Sequence, residues 1–327
     1  MNHEPNQSAL ILIPKPSLLW LGWFIGSLAL IYLALGVGFG TWKAPYHLNE
    51  MMWNIRYPRV VSALLVGMSL AVSGSALQAL FENPLADPSL IGTSGGAALG
   101  VVVVLGLGIS GIGVPLAAFL GALFACGFIL LCHRFWGGGK VGLLITGFIL
   151  SAFCGALVSL ILFLSDDLVL RSATNWLAGS MAEAGFVPIR YALGSMILGL
   201  IILLPLGKRL DILMLGETHA HTMGISVQQT RMLTVIGSAL LTGAAVSLAG
   251  VIGFIGMMVP NMMALIKGGG RTKLMLYSGW LGAMMLLVID SSARLISYPI
   301  DLPVGIVLAL LGGPFFVWLF MKAGRYG

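Results

Sequence analysis

Charge is what this chain of 327 residues has least of: Asp, Glu, Lys and Arg make up 9% of it, where a soluble domain carries about 25%. A water-facing surface of ordinary size cannot be built from that composition. Long polar segments are missing too. The longest are the N-terminal tail and residues 43–59, 166–190 and 208–231, each a loop or short helix that could not fold alone. Cysteine is equally sparse. Cys126, Cys132 and Cys154 all fall within apolar runs, and an odd set of buried thiols excludes a disulfide framework. They read as small core hydrophobes.

The constellations that carry chemistry are also lacking. No G-x-S-x-G nucleophile elbow occurs. The five histidines, His3, His47, His133, His219 and His221, lie in tails or loops, and the His219/His221 pair has no further ligand at metal-site spacing. Gly137–Lys140 and Gly268–Arg271 are Gly-rich and basic but lack the G-x-x-x-x-G-K-[ST] pattern of a phosphate-binding loop. No metal, no cofactor and no nucleotide is therefore expected in this chain, and enzymatic chemistry is not. The N-terminus shows no small-residue cleavage site after an apolar core and does not read as a cleaved signal peptide. The net charge of +6 is scattered over loops, which suits lipid headgroups and topology better than nucleic acid.

What is present is apolar sequence, 58% of the chain. Runs of about 20 apolar residues cross a hydrocarbon core as helices, because lipid offers backbone groups no partner. About ten are predicted: Ser17–Phe39, Val60–Leu80, Ser89–Ile109, Val114–Phe135, Val141–Leu164, Pro188–Leu206, Met232–Leu248, Gly250–Ile266, Leu274–Tyr298 and Pro303–Met321. The third and eighth are interrupted by Gly or Pro. This makes an all-α integral membrane protein, with one domain over residues 17–322 between short tails, 1–16 and 323–327.

An even count of spans puts both termini on one side. That side holds eleven basic residues (Lys15, Arg134, Lys140, Lys208, Arg209, Arg231, Lys267, Arg271, Lys273, Lys322 and Arg325). The other holds six, Lys43, Arg56, Arg59, Arg171, Arg190 and Arg294. The bias predicts cytoplasmic termini. Five of the six exceptions are Arg, the better residue for bidentate pairing with carboxylates. They point to an acidic partner on the outer face, or equally to headgroup contact and snorkelling at helix ends.

Many of the 45 glycines lie inside spans, as at Gly92, Gly95, Gly96 and Gly100, where they let helices approach closely. Pro260, followed by Asn261, falls in mid-run and marks a kinked or broken helix lining something polar. Asp290 precedes Arg294 by four residues, so the two share a helix face and can pair. No two carboxylates face each other deep in the membrane, as an ion-coupled transporter would need.

Three stretches together resemble the FecCD family, the membrane subunits of binding-protein-dependent ABC importers for iron chelates, haem and cobalamin. The first is Arg56-Tyr-Pro-Arg59 with Leu65-Val-Gly67, Leu70-Ala71, Ser73-Gly74, Gln78 and Asn83-Pro-Leu-Ala-Asp-Pro88. The second is Leu215-Gly-Glu217 with Ala220 and Gly224. The third is Leu248-Ala-Gly250, Ile252-Gly-Phe-Ile-Gly256, Pro260, Asp290 with Ala293-Arg294, Leu302-Pro-Val-Gly305 and Gly312-Gly-Pro314.

The resemblance implies a type II ABC importer permease fold of ten helices with both termini cytoplasmic, in the bacterial inner membrane. It implies a second permease copy, two cytoplasmic P-loop ATPase subunits that bind ATP and Mg, and a periplasmic or lipoprotein binding protein. Arg56, Arg59 and Arg294 match arginines that meet acidic residues of the docked binding protein. The loop 211–226, with Leu215, Gly216, Glu217, His219, Ala220 and Gly224, matches the element that couples to the ATPase. Asn83 and Leu85 match positions near the cytoplasmic gate, although Asn83 also fits as a cap of the turn before Pro84. Two departures stand out. Asn261 and Ala264 occupy positions where the family usually has His and Arg, and Gly268-Gly-Gly-Arg-Thr-Lys273 replaces its Asp-His-Arg. The cargo implied is a ferric siderophore or haem, with cobalamin the alternative, moved by alternating access.

Overall fold

The computed structural model describes residues 16–38, 40–184 and 189–323. The tail 1–15 with His3 and Lys15, the expected span ends Phe39 and Pro188, and residues 324–327 with Arg325 lie outside the described residues. Among those described, twelve α-helices follow one another: α1 (Pro16–Gly36), α2 (Glu50–Leu80), α3 (Thr93–Gly106), α4 (Val114–Trp136), α5 (Gly139–Phe163), α6 (Asp167–Leu177), α7 (Ile189–Leu213), α8 (Glu217–Thr222), α9 (Val227–Ala249), α10 (Ile255–Ile266), α11 (Arg271–Ile296) and α12 (Val304–Ala323). A two-residue hairpin, β1 (Val37–Gly38) and β2 (Thr41–Trp42), pairs antiparallel directly after α1.

Six helices are long and apolar enough to cross a membrane, and four shorter apolar ones complete the expected ten. The two left over, α6 and α8, are polar and short. Burial separates centre from periphery: 78% of the apolar stretch of α2 and of α9 is buried, against 22% of α5. Helix α11 packs along α2, and α7 and α4 flank α9. Glycine makes the closest approaches possible. A Cβ on Gly67 of α2 would collide with the Gly282 carbonyl of α11, and one on Gly282 with that of Gly67. Gly96 of α3 and Gly121 of α4 stand in the same reciprocal relation. Dispersion and weak polar contacts hold such pairs where no hydrophobic drive exists between helices.

The structure corrects three expectations. The second helix begins ten residues before Val60, at Glu50, because Asn49 caps it, its side chain accepting the Met52 N–H at 2.9 Å. This brings Arg56 and Arg59 onto a helix rather than a loop. The third span is divided. A 3-10 turn at Pro88–Ile91 ends on Gly92 in the left-handed region (φ 71°), and α3 follows with only 14 residues, about 21 Å at 1.5 Å per residue.

The eighth span does not break at Pro260 and Asn261. Both lie within continuous α10, where the proline removes one backbone bond. The irregular stretch is residues 250–254, upstream. A Cβ on Gly250 would strike the Trp176 carbonyl, and Phe254 has φ 70°, uncommon for a side-chain-bearing residue. Backbone bonds flank and enter this stretch, with Ser180 N–H donating to Ala249 O at 2.8 Å, Gly250 N–H to Val246 O at 2.8 Å and Met258 N–H to Phe254 O at 2.7 Å. Irregular backbone at membrane depth is tolerated where protein buries it in this way.

Candidate functional site

At one end of the molecule three buried arginines, the buried Asp290 and the partly exposed Asp301 form a knot. Arg59 donates through Nε and Nη2 to Asp290 Oδ1 at 3.1 and 2.8 Å. It also forks onto Asp301, Nη1 to Oδ2 at 2.7 Å and Nη2 to Oδ1 at 2.9 Å. Arg294 Nε lies 3.1 Å from Asp290 Oδ2, the pair expected from their spacing. Arg294 Nη1 donates to Val37 O at 2.8 Å, and Arg56 Nη1 to Gly36 O at 2.7 Å. The arginines thus tie the exit of α1 and its hairpin to α2 and α11. Asp301, in the loop before α12, is held below the usual carboxylate range by the Arg59 hydrogen bonds.

This corrects the picture of an open arginine rim. Arg56, Arg59 and Arg294 are 4%, 7% and 9% exposed, and each guanidinium has the carboxylate or carbonyl partner that burial in a low-dielectric interior demands. Asp290 is fully buried, and both its oxygens are taken by arginine, so it is no free proton site. Three positive charges against two negative leave an excess of one. It borders a cavity of about 290 Å³ between Arg56, Tyr298 and Pro299. A second cavity of about 550 Å³ reaches Asp301 from the side of α6, with Ser172, Asn175, Ser180 and Glu183 on its wall. Asp301 was missed from sequence. Its partner stands 242 positions away, and no local spacing signals it.

At the opposite end, α8 is a projecting turn. Loop 211–226 starts inside α7, which continues to Leu213. Gly216 has φ 111° before the helix, and Gly224 has φ 73° after it. Ile225 N–H bonds back to Ala220 O at 2.9 Å, a closing pattern that favours glycine in the left-handed position. Ala220 is fully buried and seats the helix. Glu217, His219 and His221 face outward, beside Leu215 and Met223 at 65% and 64% exposure. Glu217 is ion-paired with Arg231 of α9, another partner that sequence reasoning missed.

Asn83 and Leu85 share one turn with each other and one cluster with Asn261. Asn83 Oδ1 accepts the Leu85 N–H at 2.9 Å, the capping role its position before Pro84 allowed. Asn261 Nδ2 donates to Pro84 O at 2.7 Å and to Met257 O at 2.8 Å, and Gln78 Nε2 donates to the same Met257 O at 3.0 Å. Glu82 pairs with Lys140 at 2.6 Å, tying this turn to the start of α5. Leu85 itself is exposed.

With this geometry established, comparison with known proteins decides the family. The model of the FecCD transport family matches residues 15–322. The chain belongs to the FecCD transport family. Its relatives in that family include the hemin transport system permease protein of Yersinia pestis, 39% identical over 302 residues, 88% of this chain and 89% of that one. The vitamin B12 import system permease protein of Vibrio cholerae is 36% identical over 318 residues, 94% of each. A solved structure described as the inward-facing conformation of a metal-chelate type ABC transporter superposes with a TM-score of 0.85 at 30% identity, covering 94% of this chain and all of the other. The family's all-α permease architecture is therefore that of this chain over nearly its whole length.

Proposed function

We propose that this chain is the permease subunit of an ATP-driven importer that carries a metal chelate, haem or a ferric siderophore, across a bacterial inner membrane. The observation that carries the reading is its match to the hemin permease over nearly nine-tenths of both chains. Cobalamin is the second reading, favoured by the match to the vitamin B12 permease, which covers more of both chains at slightly lower identity. Two copies would enclose the path, and the excess of basic residues puts the α8 end in the cytoplasm.

In this reading the α8 surface meets an ATPase subunit. Leu215 and Met223 offer apolar contact there, while Glu217 and His219 offer hydrogen bonds. ATP and Mg bind to that partner. The turn of Asn83 and Leu85, which Asn261 of α10 holds through the Pro84 carbonyl, parts and closes at the cytoplasmic mouth, and Pro260 lies within α10 beside it. The arginine knot receives a binding protein by exchange: an acidic residue of the partner replaces Asp301 on Arg59, drawn by the uncompensated positive charge. Such charges act on register and encounter rate. No covalent chemistry belongs to this chain.

Uptake of haem, a ferric chelate and cobalamin, each labelled and presented alone and then against the other two, into proteoliposomes holding the complete transporter tests the cargo. Haem is expected to enter, and cobalamin to compete weakly. Uptake of none of the three would contradict the reading, and strong displacement by cobalamin alone would favour the second.

A further inference from the structure

A cavity of about 350 Å³ opens between α4, α5 and α9 at the α8 end of the molecule. Its wall is divided in two. His133 and Arg134 from the last turn of α4, and Gln228 and Arg231 from the start of α9, supply the polar part. Leu131 and Met232, both exposed, lead away from it along the apolar surface. The glycine turn 137–139 joins α4 to α5 with three successive positive φ values, 67°, 90° and 59°.

The polar part is under-satisfied. Arg231 is 8% exposed, and its Nε, like the buried Nδ1 of His133, has no hydrogen-bond partner among the described residues. Glu217 answers one face of Arg231 only. Lys140 nearby is taken by Glu82. Arg134 is exposed and has no acidic partner among the described residues. A net positive charge therefore faces the cavity, together with buried nitrogens that want an anion or acceptor.

Depth decides what kind of anion. Arg134 lies in the last turn of α4 and Arg231 in the second turn of α9, at the ends of two helices long enough to span the membrane, where lipid headgroups are met. Basic pockets between membrane helices at this depth suit acidic headgroups. We infer that this cavity binds one anionic phospholipid of the adjoining leaflet, its phosphate against Arg134 and Arg231 and an acyl chain along Leu131 and Met232.

The purified full chain in detergent, titrated with phosphatidylglycerol and separately with phosphatidylcholine, tests this by native mass spectrometry. Phosphatidylglycerol is expected to bind first and more tightly. Arg134→Gln should lower its affinity about five-fold, the weight of one cation at an acidic interface, and leave phosphatidylcholine unaffected. Met232→Trp, which fills the cavity from the apolar side with the charges intact, should lower the occupancy of phosphatidylglycerol as well. Equal phosphatidylglycerol affinity in wild type and both cavity variants would overturn the inference. So would displacement of the lipid by millimolar inorganic phosphate, which would make the cavity a free-anion site.

Discussion

The arginine knot gives the sharpest energetic prediction. Asp290→Asn keeps the shape of the side chain and removes its charge. The knot then holds three guanidiniums against Asp301 alone, and its excess charge doubles from one to two. Asp290 is fully buried and accepts from Arg59 at 2.8 and 3.1 Å, so the loss is that of a buried pair, about 3–5 kcal/mol. Asp301→Asn removes an equally short contact from a carboxylate that is 38% exposed, and solvent screening holds that loss to about 1 kcal/mol. Arg59→Met together with Asp290→Asn restores the original excess of one. The double variant should therefore lie closer to wild type than the two single losses summed, with a coupling of about 2–3 kcal/mol. Unfolding in mixed micelles of increasing denaturing-detergent content, followed by tryptophan fluorescence in all four proteins, reads the cycle. Additivity within about 0.5 kcal/mol would refute the knot as a coupled unit.

The same packing and charge pairs set three further outcomes. Glu217→Lys should abolish transport while ATP hydrolysis persists, and the charge swap Glu217→Lys/Arg231→Glu should not restore it; full rescue by the swap would mean that Glu217 serves Arg231 alone. Gly67→Ala places a methyl against the Gly282 carbonyl and should cost about 1–3 kcal/mol by forcing α2 and α11 apart, and an unchanged melting temperature in the same lipid would contradict that packing. Asp301, whose carboxyl is depressed by Arg59, contributes stability present above the unfolded value of about 3.9 and lost as pH falls through its lower folded value. Melting temperatures of wild type and Asp301→Asn should accordingly differ at neutral pH and converge in strong acid, and a gap that widens on acidification would reverse the sign of the argument.

The ten apolar runs were legible because length and hydropathy are local properties. Even the weakness of the third and eighth showed in their Gly and Pro content. Asp290 with Arg294 was legible for the same reason, as helical spacing decides it. What escaped was set by tertiary contact. Asp301 meets Arg59 across 242 positions, and Arg231 reaches Glu217 from a different helix. The arginines looked like a rim because sequence shows charge but not the carbonyls of Gly36 and Val37 that absorb it. Pro260 drew attention as the breaker of its span, yet the irregular backbone lies upstream of α10, where Gly250 and Phe254 take φ of 69° and 70°. Gly224 looked like a contact residue, and its left-handed φ of 73° gives it a conformational reason of its own.

The source of energy for transport tests the central claim most directly. Haem uptake is measured in proteoliposomes containing this chain, with and without its ATPase subunits, binding protein and ATP, and with an imposed proton or sodium gradient. The account predicts uptake only when all three companions are present, with no response to either gradient. Gradient-driven uptake by the chain alone, without nucleotide, would contradict it.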